Sequence, residues 1–362
     1  MKVKEFKLNP DENIETPALL IDLDTVERNI QTMSAFAKDN NVSLRPHFKT
    51  AKIPEIALMQ VKAGAKGITC AKLSEAEVLA DAGVENILLA NQIVAPAKLD
   101  KLAKLAGRIH YMAVAVDNVE NVLDLNNACA KHGATLRVLV ELDVGQGRCG
   151  VRSYEEGLDV ARAVMESPYL VFDGIQAYEG QLVLKPEVQI RSEGVEKLLS
   201  YVGGFKSFLE QNNIPVKEIS GSGSGTFNLT CINNLYTELQ AGSYIYMDAR
   251  YNTLELPFEQ AIYIMCTVIS THKGVAVLDG GLKSLSTDNG NPLLIGLNAE
   301  AIKLSEEHCR LSEPDIELNV KDTVMFIPSH CCTTINLYDI AYGVRDGRIE
   351  KVFDVKGRGK ST

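Results

Sequence analysis

The sequence predicts a fold of the α/β class, in which a (β/α)₈ TIM barrel is followed by a C-terminal β-domain that also takes the first N-terminal strand. Between about residues 43 and 247, short β-branched runs alternate with longer amphipathic stretches. After about residue 250, strand patterns follow one another without long helices. Strictly alternating strands and helices imply a parallel sheet, and eight such units in about 200 residues favour a closed barrel.

Eight strand candidates make up the predicted barrel, joined by seven helical or helix-length connections. The strands are predicted at 43–49, 67–71, 86–91, 110–117, 135–143, 170–178, 216–220 and 237–242. The clearest helical repeats lie at 54–63, 72–82, 119–131 and 154–166. An open doubly wound sheet is the alternative fold, but no Gly-x-Gly-x-x-Gly sequence follows the first strand.

A further strand candidate, residues 16–24, precedes the eight barrel strands and would be a ninth. The second domain is predicted to be all-β, with strands at 259–270, 274–279, 315–327, 338–344 and 348–356. The spare first strand can pair into this second sheet. We therefore expect a barrel domain at 24–250 and a β-domain made of 1–23 plus 251–362.

The composition and charge of the chain argue against several classes of function. The 362-residue chain is 46% apolar and 23% charged, which is ordinary for a globular protein. Its net charge of −10 argues against nucleic acid or an anionic membrane surface as a partner. No apolar run is long enough to span a bilayer, and residues 1–5 lack the apolar core of a signal peptide. The eight cysteines, without secretory features, suggest free thiols in a reducing cytoplasm.

Segment 44–50, at the end of the first predicted barrel strand, is unusually basic. Side chains two apart on a strand share a face, so Arg45, His47 and Lys49 would point the same way. Three basic groups at one spot suggest that an anion binds there, although a solvated edge strand explains them too. Arg45 lies deepest in the strand, and we expect its role to be structural.

Two glycine- and serine-rich turns, residues 220–226 and 241–244, follow the seventh and eighth predicted strands. In a (β/α)₈ barrel the active site lies at the carboxyl ends of the strands, and a phosphate site often follows strands seven and eight. Backbone N–H groups of such small residues can approach an anion closely. A lone turn of this kind is as readily a flexible loop. Two turns at the two expected positions favour a phosphate-bearing ligand.

Lys49 is predicted to be a second contact for the phosphate-bearing ligand. A lysine at the end of a barrel strand, beside a phosphate pocket, can form a Schiff base with a phosphorylated aldehyde or ketone. Pyridoxal phosphate meets that description, because its carbonyl needs a lysine and its phosphate needs such turns. A sugar-phosphate aldolase fits the same residues, as does a lysine that merely pairs with the phosphate.

Four segments together resemble one enzyme family: 46–50, 147–151, 220–226 and 238–248. They are similar to the D-threonine aldolase / D-serine dehydratase branch of the alanine-racemase-like (fold type III) pyridoxal-phosphate enzymes. The resemblance runs over nearly the whole chain, and its motifs are specific in combination. It implies a barrel with a C-terminal β-domain that also takes the first strand, and it implies a homodimer.

The resemblance also implies roles for individual residues. Lys49 would carry pyridoxal 5'-phosphate as a Schiff base, Arg148 would contact the phenolic oxygen of its ring, and Tyr178 would lie near the ring or its nitrogen. We expect His47 to support Lys49 or to relay a proton. The phosphate would be held by Ser222, Gly223, Gly242 and Ser243.

His330 and Cys332 are the candidate metal ligands. On an extended segment, two residues two apart share a face and can chelate one ion. An imidazole with a thiolate suits zinc, whereas buried packing is the alternative for a lone His-x-Cys. The family resemblance places a divalent metal at this pair, where it binds the substrate's 3-hydroxyl. Cys331 would then face away and pack, and His308 is expected at the end of a surface helix.

The predicted activity is that of a lyase that uses pyridoxal phosphate and a divalent metal, with zinc expected, on 3-hydroxy D-amino acids. Cys332 favours a dehydratase of D-serine or 3-hydroxy-D-aspartate, because the resemblance associates His-x-Cys and zinc with dehydration. The alternative is an aldolase that cleaves D-threonine or 3-hydroxy-D-aspartate to glycine and an aldehyde. A racemase would need a second base and no metal, and a non-catalytic pyridoxal-phosphate carrier would need only the barrel.

Overall fold

The computed structural model describes residues 6, 8–9 and 13–362, which form two compact units. The barrel unit comprises Met33–Lys49, Pro54–Gly242 and Lys360–Thr362. The β-unit comprises the described residues up to Thr32, together with Thr50–Ile53 and Ser243–Gly359. Residues 1–5, which entered the signal-peptide argument, and part of the predicted segment 1–23 lie outside the described residues.

Strand β1 (Ala18–Asp22) belongs to the β-unit, and the next eight strands form one parallel sheet in the barrel unit. These are β2 (Ser43–Leu44), β3 (Ile68–Cys70), β4 (Asn86–Leu89), β5 (Tyr111–Val116), β6 (Leu136–Glu141), β7 (Leu170–Ala177), β8 (Glu218–Gly221) and β9 (Glu238–Leu239). Their order is β2-β9-β8-β7-β6-β5-β4-β3, and a parallel bridge between His47 and Thr69 links the two ends. The predicted barrel is confirmed.

Helices alternate with these strands, as the sequence pattern predicts. They are α1 (Leu23–Asp39), α2 (Phe48–Ala51), α3 (Pro54–Lys62), α4 (Leu73–Asp81), α5 (Pro96–Ala106), α6 (Val119–His132), α7 (Tyr154–Glu166), α8 (Gly180–Val183), α9 (Val188–Gln211) and α10 (Phe227–Thr230). Helix α6 shows why the boundaries fall where they do. The Asn118 side chain accepts a hydrogen bond from the Asn121 N–H at its start, and Gly133 ends it with a φ of +60°.

The sheet of the barrel unit is covered on both faces, which is why its strands read as nearly continuous apolar runs. In β5, all residues after Tyr111 are buried, and in β7 all except Val171 are buried. Acidic side chains stand at both ends of the strands, with Glu141 at the end of β6 and Glu218 and Glu238 at the starts of β8 and β9, while Asp173 lies within β7.

The β-unit contains a nine-stranded sheet. Besides β1, it is formed by β10 (Ile262–His272), β11 (Val275–Leu278), β12 (Leu293–Ile295), β13 (Ala299–Leu304), β14 (Cys309–Pro314), β15 (Thr323–Ile327), β16 (Ile340–Arg345) and β17 (Arg348–Asp354). Strand β1 pairs antiparallel with β10 and parallel with β16. The prediction that the first strand joins the second sheet is confirmed.

The first barrel strand was predicted too long. Strand β2 ends at Leu44, and helix α2 begins at Phe48, so Lys49 is helical. Pro46 offers no N–H to continue a regular ladder, which explains the early end of the strand. The prediction that Arg45, His47 and Lys49 share one strand face is therefore wrong.

The β-unit also departs from its prediction in several places. Strands β12, β13 and β14 were not predicted. Residues 315–322 are not a strand, because β14 ends at Pro314 and a turn from Asn319 to Asp322 precedes β15. The unit is not purely β, since it contains the short helix α11 (Cys331–Ile335). His308 is exposed as expected, but it lies in the turn between β13 and β14 rather than at a helix end.

Two expectations from composition can be compared with the described residues. In that part of the chain, no helix combines the length and apolar character needed to cross a membrane. All eight cysteines lie within it, and all are free thiols.

Candidate active site

The carboxyl ends of the barrel strands carry most of the predicted cofactor residues. Tyr178 directly follows β7, Ser222 and Gly223 follow β8, and Gly242 lies three residues after β9. Lys49 follows β2, in helix α2. Because the strands are parallel, their carboxyl ends all face the same end of the barrel, the end that carries active sites in this architecture.

Lys49 and Arg148 approach the same aromatic ring. The Lys49 Nζ lies 5.6 Å from the centroid of the Tyr178 ring, and the Arg148 Cζ lies 5.8 Å from it. Within the described residues, the Lys49 ammonium makes no hydrogen bond or ion pair. An amine left without a polar partner beside a ring fits a residue whose partner is the carbonyl of a ligand.

His47 contacts the segment that carries Lys49. The Lys49 backbone N–H donates to His47 Nδ1 at 3.4 Å, a long hydrogen bond. A neutral imidazole that accepts at Nδ1 carries its proton at Nε2. His47 thus helps to fix the start of α2, where the predicted Schiff-base residue lies.

Glu141, the last residue of β6, was not singled out by sequence reasoning. Its carboxylate lies 3.8 Å from the Arg148 guanidinium and accepts a hydrogen bond of 2.6 Å from the Gln92 side chain. Burial raises the pKa of this carboxyl above its usual range. Arg148 itself is about half exposed, so its charge is only loosely compensated by the protein.

The loop at 220–226, which the sequence assigns to the phosphate, is organised around a buried carboxylate. The N–H groups of Ser222 and Gly223 donate to Glu179 at 3.2 and 3.3 Å, and Thr226 Oγ1 donates to it at 2.5 Å. Gly223 is required sterically, since a Cβ there would lie 2.7 Å from Val183 Cγ2. The two N–H groups that were expected to meet a phosphate are thus directed at Glu179.

Gly242 and Ser243 are neighbours in the chain but fall in different compact units. Gly242 ends the last long segment of the barrel unit, and Ser243 opens a short 3₁₀ turn, Ser243–Ile245, in the β-unit. In that unit, Ser243 Oγ lies 3.8 Å from Cys332 Sγ. Ser243 therefore has a described contact with one of the two candidate metal ligands.

The candidate metal ligands lie at the start of α11. His330 is the N-cap of this helix and Cys332 its second residue, so the premise of an extended segment is wrong. The two side chains still influence each other, since the interaction with Cys332 favours the charged form of His330. Cys332 Sγ also lies 3.0 Å from the hydroxyl of Thr50, the residue that follows Lys49 in the chain.

His330 is oriented by a carboxylate that the sequence did not point to. Its Nδ1 lies 2.5 Å from Asp288 Oδ2, and Thr333 Oγ1 donates to the other oxygen of Asp288 at 2.9 Å. Burial disfavours charge on His330, but its interactions with Cys332 and Asp288 outweigh that effect and raise the imidazole pKa to about 9. Asp288 engages Nδ1, so Nε2 is the ring nitrogen that a metal ion would take by displacing its proton.

Cys331 is fully buried, as expected of a packing thiol. Its backbone N–H donates to the buried carboxylate of Asp248 at 2.9 Å, which fixes the chain between the two candidate ligands. Among the described residues there is no cluster of three or more His, Cys, Asp or Glu side chains suited to a metal ion. An imidazole and a thiol are nevertheless donors that suit zinc, so the pair fits the implied metal in its chemistry.

Two known families match this chain. Residues 21–250 match the family "Alanine racemase, N-terminal domain", and residues 261–344 match the family "Putative serine dehydratase domain". The chain belongs to the alanine racemase family. The predicted resemblance is confirmed over nearly the whole chain.

Individual relatives refine this assignment. The chain is 36% identical to a 3-hydroxy-D-aspartate aldolase of Paracoccus denitrificans (strain Pd 1222), over 97% of this chain and 94% of that protein. It is 37% identical to a D-threonine aldolase of Arthrobacter sp, over 98% and 95%. A D-threo-3-hydroxyaspartate dehydratase of Delftia sp. (strain HT23) is 28% identical, over 76% and 74%.

A solved structure agrees with this comparison. The D-threonine aldolase from Filomicrobium marinum superposes with a TM-score of 0.94 at 34% sequence identity. The match covers 99% of this chain and 100% of that one. The fold assigned from the sequence is therefore shared with an aldolase along its full length.

Three carboxylates of the site escaped the sequence argument: Glu141, Glu179 and Asp288. The first two stand at or just after the ends of predicted strands, where a barrel places its chemistry. That position was the available signal. Asp288 lies in a loop with no periodic pattern, and no local signal links it to His330, 42 residues away.

Proposed function

We propose that this protein is an aldolase that uses pyridoxal phosphate and a divalent metal to cleave 3-hydroxy D-amino acids to glycine and an aldehyde. D-threonine and 3-hydroxy-D-aspartate are the candidate substrates. The observation that carries the proposal is the similarity to two aldolases at 36% and 37% identity over nearly the full chain. The dehydratase, which Cys332 led us to expect first, has less support, since the dehydratase relative is 28% identical over 76% of this chain.

Two bound groups would divide the chemistry. Pyridoxal phosphate would supply an electron sink for negative charge at the substrate Cα, and the metal would supply a Lewis acid at its 3-hydroxyl. Lys49 is the residue proposed to hold the cofactor, because its ammonium lies beside the Tyr178 ring without a polar partner among the described residues. Arg148 would place a positive charge near the same ring.

The phosphate of the cofactor would be held by the turns that contain Ser222, Gly223, Gly242 and Ser243. The loop after β8 is buried, and its small residues allow the backbone to approach an anion closely. His47, which accepts from the Lys49 N–H at Nδ1, would exchange a proton through Nε2. Its proposed task is to relay that proton near Lys49.

His330 and Cys332 would hold the metal. The hydrogen bond between His330 and Asp288 fixes the imidazole ring and leaves Nε2 as the donor atom. Cys332 would supply a thiolate, and zinc is the ion that this pair of donors favours. The proposed domains keep their predicted bounds, with the cofactor assigned to 24–250 and the metal to 1–23 plus 251–362.

A D-serine or 3-hydroxy-D-aspartate dehydratase remains the second candidate, on the strength of one residue. Cys332 gives the metal pair a soft ligand, and a Cys332→Asp variant tests whether that ligand selects the reaction. Dehydration would release a keto acid and ammonia instead of glycine and an aldehyde. A change of product ratio in the variant would assign the selection to Cys332, and an unchanged ratio would remove it from consideration.

The deciding experiment supplies the protein with pyridoxal phosphate and Zn²⁺, or with Mn²⁺, and offers D-threonine, 3-hydroxy-D-aspartate and D-serine separately. Glycine with acetaldehyde from D-threonine, or with glyoxylate from 3-hydroxy-D-aspartate, is expected. Pyruvate or oxaloacetate with ammonia would overturn the aldolase in favour of the dehydratase. Activity that a chelator leaves intact would contradict the proposed metal, and racemised substrate as the sole product would indicate a racemase.

The partners of the proposed enzyme are its small D-amino-acid substrates and a second copy of itself. The homodimer was predicted from the family resemblance, and it stays a prediction. Light scattering on the purified protein at several concentrations measures it directly. A mass equal to one chain, 39.6 kDa, at every concentration would contradict it.

A further inference from the structure

Glu179 is a buried carboxylate that the proposed chemistry does not use. It lies between Tyr178 and helix α8, at the carboxyl end of β7, and is fully buried. Among the described residues, no lysine, arginine or histidine forms an ion pair with it. All of its described side-chain partners are hydrogen-bond donors of one loop, the segment 222–226. A carboxylate buried without a cation is costly, so its retention calls for a role.

The loop that surrounds Glu179 has an unusual backbone. Ser222 has a φ of +72°, in the left-handed region that residues other than glycine seldom adopt. Such a conformation persists where its surroundings determine it. Here the N–H groups of Ser222 and Gly223 both donate to Glu179, and Thr230 Oγ1 donates to the Ser222 hydroxyl at 3.0 Å. The turn is thus held from its backbone and from its side chain.

Successive N–H groups around a left-handed residue form a concave site for an anion. In this loop the protein itself supplies the anion, because the Glu179 carboxylate occupies the concave site. Thr226 Oγ1 reinforces the arrangement by donating to Glu179 while accepting from the Gly223 N–H at 3.2 Å. The two N–H groups are therefore engaged before any ligand arrives.

We propose that Glu179 is a positioning residue that templates the loop 222–226, so that the loop receives the cofactor's phosphate with its shape already set and without using the N–H groups of Ser222 and Gly223. This inference rests on the proposed binding of pyridoxal phosphate. It assigns the phosphate to the remainder of the loop and to the turn at Gly242. Glu179 acts through the loop and does not touch the reacting atoms.

The test compares two ligands that differ in the phosphate alone, pyridoxal phosphate and pyridoxal. Both can react with Lys49, and the visible absorbance of the Lys49 adduct reports the affinity of each. In Glu179→Ala, the loop loses its template, so the dissociation constant of pyridoxal phosphate is expected to rise about tenfold or more. The dissociation constant of pyridoxal is expected to stay as in the wild type.

Glu179→Gln supplies the conservative comparison. Its amide oxygen can still accept from a loop N–H, and its NH₂ can donate to Thr226 Oγ1, so its affinity is expected between those of Glu179→Ala and the wild type. The Gln variant carries the test if the Ala variant does not fold. Asp173→Asn is the matched control, since Asp173 is a buried carboxylate of β7 whose side-chain partners are Arg137 and Tyr111. It should leave both dissociation constants unchanged.

Each outcome has a defined meaning. Unchanged or tighter binding of pyridoxal phosphate by both Glu179 variants would overturn the inference, because Glu179 would then be dispensable or would block the phosphate's place. Equal weakening of both ligands would also overturn it, since that is the mark of a general structural role. If the wild type itself gives no adduct that depends on Lys49, the proposed function fails instead, and the two failures are thereby distinguished.

Discussion

Charged side chains at the two ends of the barrel unit differ in how far they are paired with other groups of the protein. Near the amino ends of β5 and β9, the guanidinium of Arg45 and the carboxylate of Glu238 form an ion pair of 3.0 Å with side-chain exposures of 1% and 2%. At the carboxyl ends, the Lys49 ammonium has no polar partner within the described residues, and Arg148 keeps only a loose contact with Glu141. The two buried charges at the first end are opposite and in contact, whereas the two cations at the second end have little compensation from the protein. Charge pairing therefore distinguishes the end with a structural ion pair from the end proposed to bind the cofactor.

The paired end is a network rather than a single contact. Tyr111, at the start of β5, lies between the guanidinium groups of Arg45 and Arg137, at 4.9 and 5.0 Å from its ring. The Tyr111 hydroxyl and Arg137 both bond to the buried carboxylate of Asp173. Such a network is costly to break at one member, because the partner left behind remains buried and charged.

The largest expected effect is on activity, in Lys49→Ala. Loss of the residue proposed to bond to the cofactor should reduce turnover on the order of 10⁴-fold and abolish the visible absorbance of the bound cofactor. The free energy of unfolding should change by less than about 0.5 kcal/mol, since Lys49 has no polar partner to lose. Absorbance spectra, turnover and urea unfolding measure these quantities. Lys101→Ala, which replaces an exposed lysine on α5, is the control. Cofactor absorbance that persists in Lys49→Ala would contradict the role proposed for Lys49.

Arg45→Met should lower the stability of the protein and leave cofactor binding unchanged, the reverse of what is expected for Lys49→Ala. Removal of the guanidinium leaves Glu238 buried without its main partner, so the free energy of unfolding should fall by about 3–5 kcal/mol. The cofactor absorbance of the folded fraction should be unaffected. The double variant Arg45→Met/Glu238→Gln should recover much of the loss, which a double-mutant cycle in urea measures. A single variant as stable as Lys101→Ala would show that the ion pair does not stabilise the barrel.

Sequence reasoning predicted the barrel well because its signal is periodic, but it wrongly placed the two basic residues Arg45 and Lys49 on one strand. Strand alternation placed them on one face, whereas the strand ends at Leu44 and a four-residue helix carries Lys49. Such a short helical turn has no period of its own to detect. Arg45 was nevertheless expected to be structural, and its buried ion pair agrees with that expectation.

Residues of the candidate site could be predicted where their type and position in the chain suggest a function. Residues whose role depends on partners far away in the sequence could not. Lys49 and the glycine-serine turns stand out as single features of the chain. Glu179 and Asp288 do not, because a lone carboxylate in a loop resembles any solvated residue until its partners are known. The partners of Glu179 lie more than 40 residues away, and so does that of Asp288.

The β-unit offers an intermediate case, because the pairing of His330 with Asp288 would serve the proposed metal site. Asp288 orients His330, so Asp288→Asn should weaken zinc binding by about 10–100-fold while leaving the fold intact. Competition with a zinc-binding dye measures the affinity, and thermal unfolding of the metal-free protein measures the fold. Asp346→Asn, an exposed carboxylate of the same unit, should change neither. If Asp288→Asn binds zinc as tightly as the wild type, the contact between Asp288 and His330 does not prepare a metal site.

The smallest expected effect is on the pH dependence of stability, which should have opposite signs for Glu238 and Glu179. Burial opposes the charge of Glu238, but Arg45 outweighs it and holds the Glu238 pKa below its usual range, whereas burial raises the pKa of Glu179. The stability that Glu238 contributes is therefore present above about pH 4.3 and lost as pH falls through its lowered pKa. The stability that protonated Glu179 contributes is present below about pH 4.3 and lost as pH rises through its raised pKa.

Urea unfolding of Glu238→Gln and Glu179→Gln between about pH 3 and pH 8 measures the stability contribution of each carboxylate separately. The stability advantage of the wild type over Glu238→Gln should shrink toward acid, and its advantage over Glu179→Gln should shrink toward neutral pH. Each slope is limited to about 1.4 kcal/mol per pH unit, the value for one proton. Slopes of the same sign would mean that the two carboxylates are stabilised alike, and the contrast between the two ends of the barrel would then rest on the cations alone.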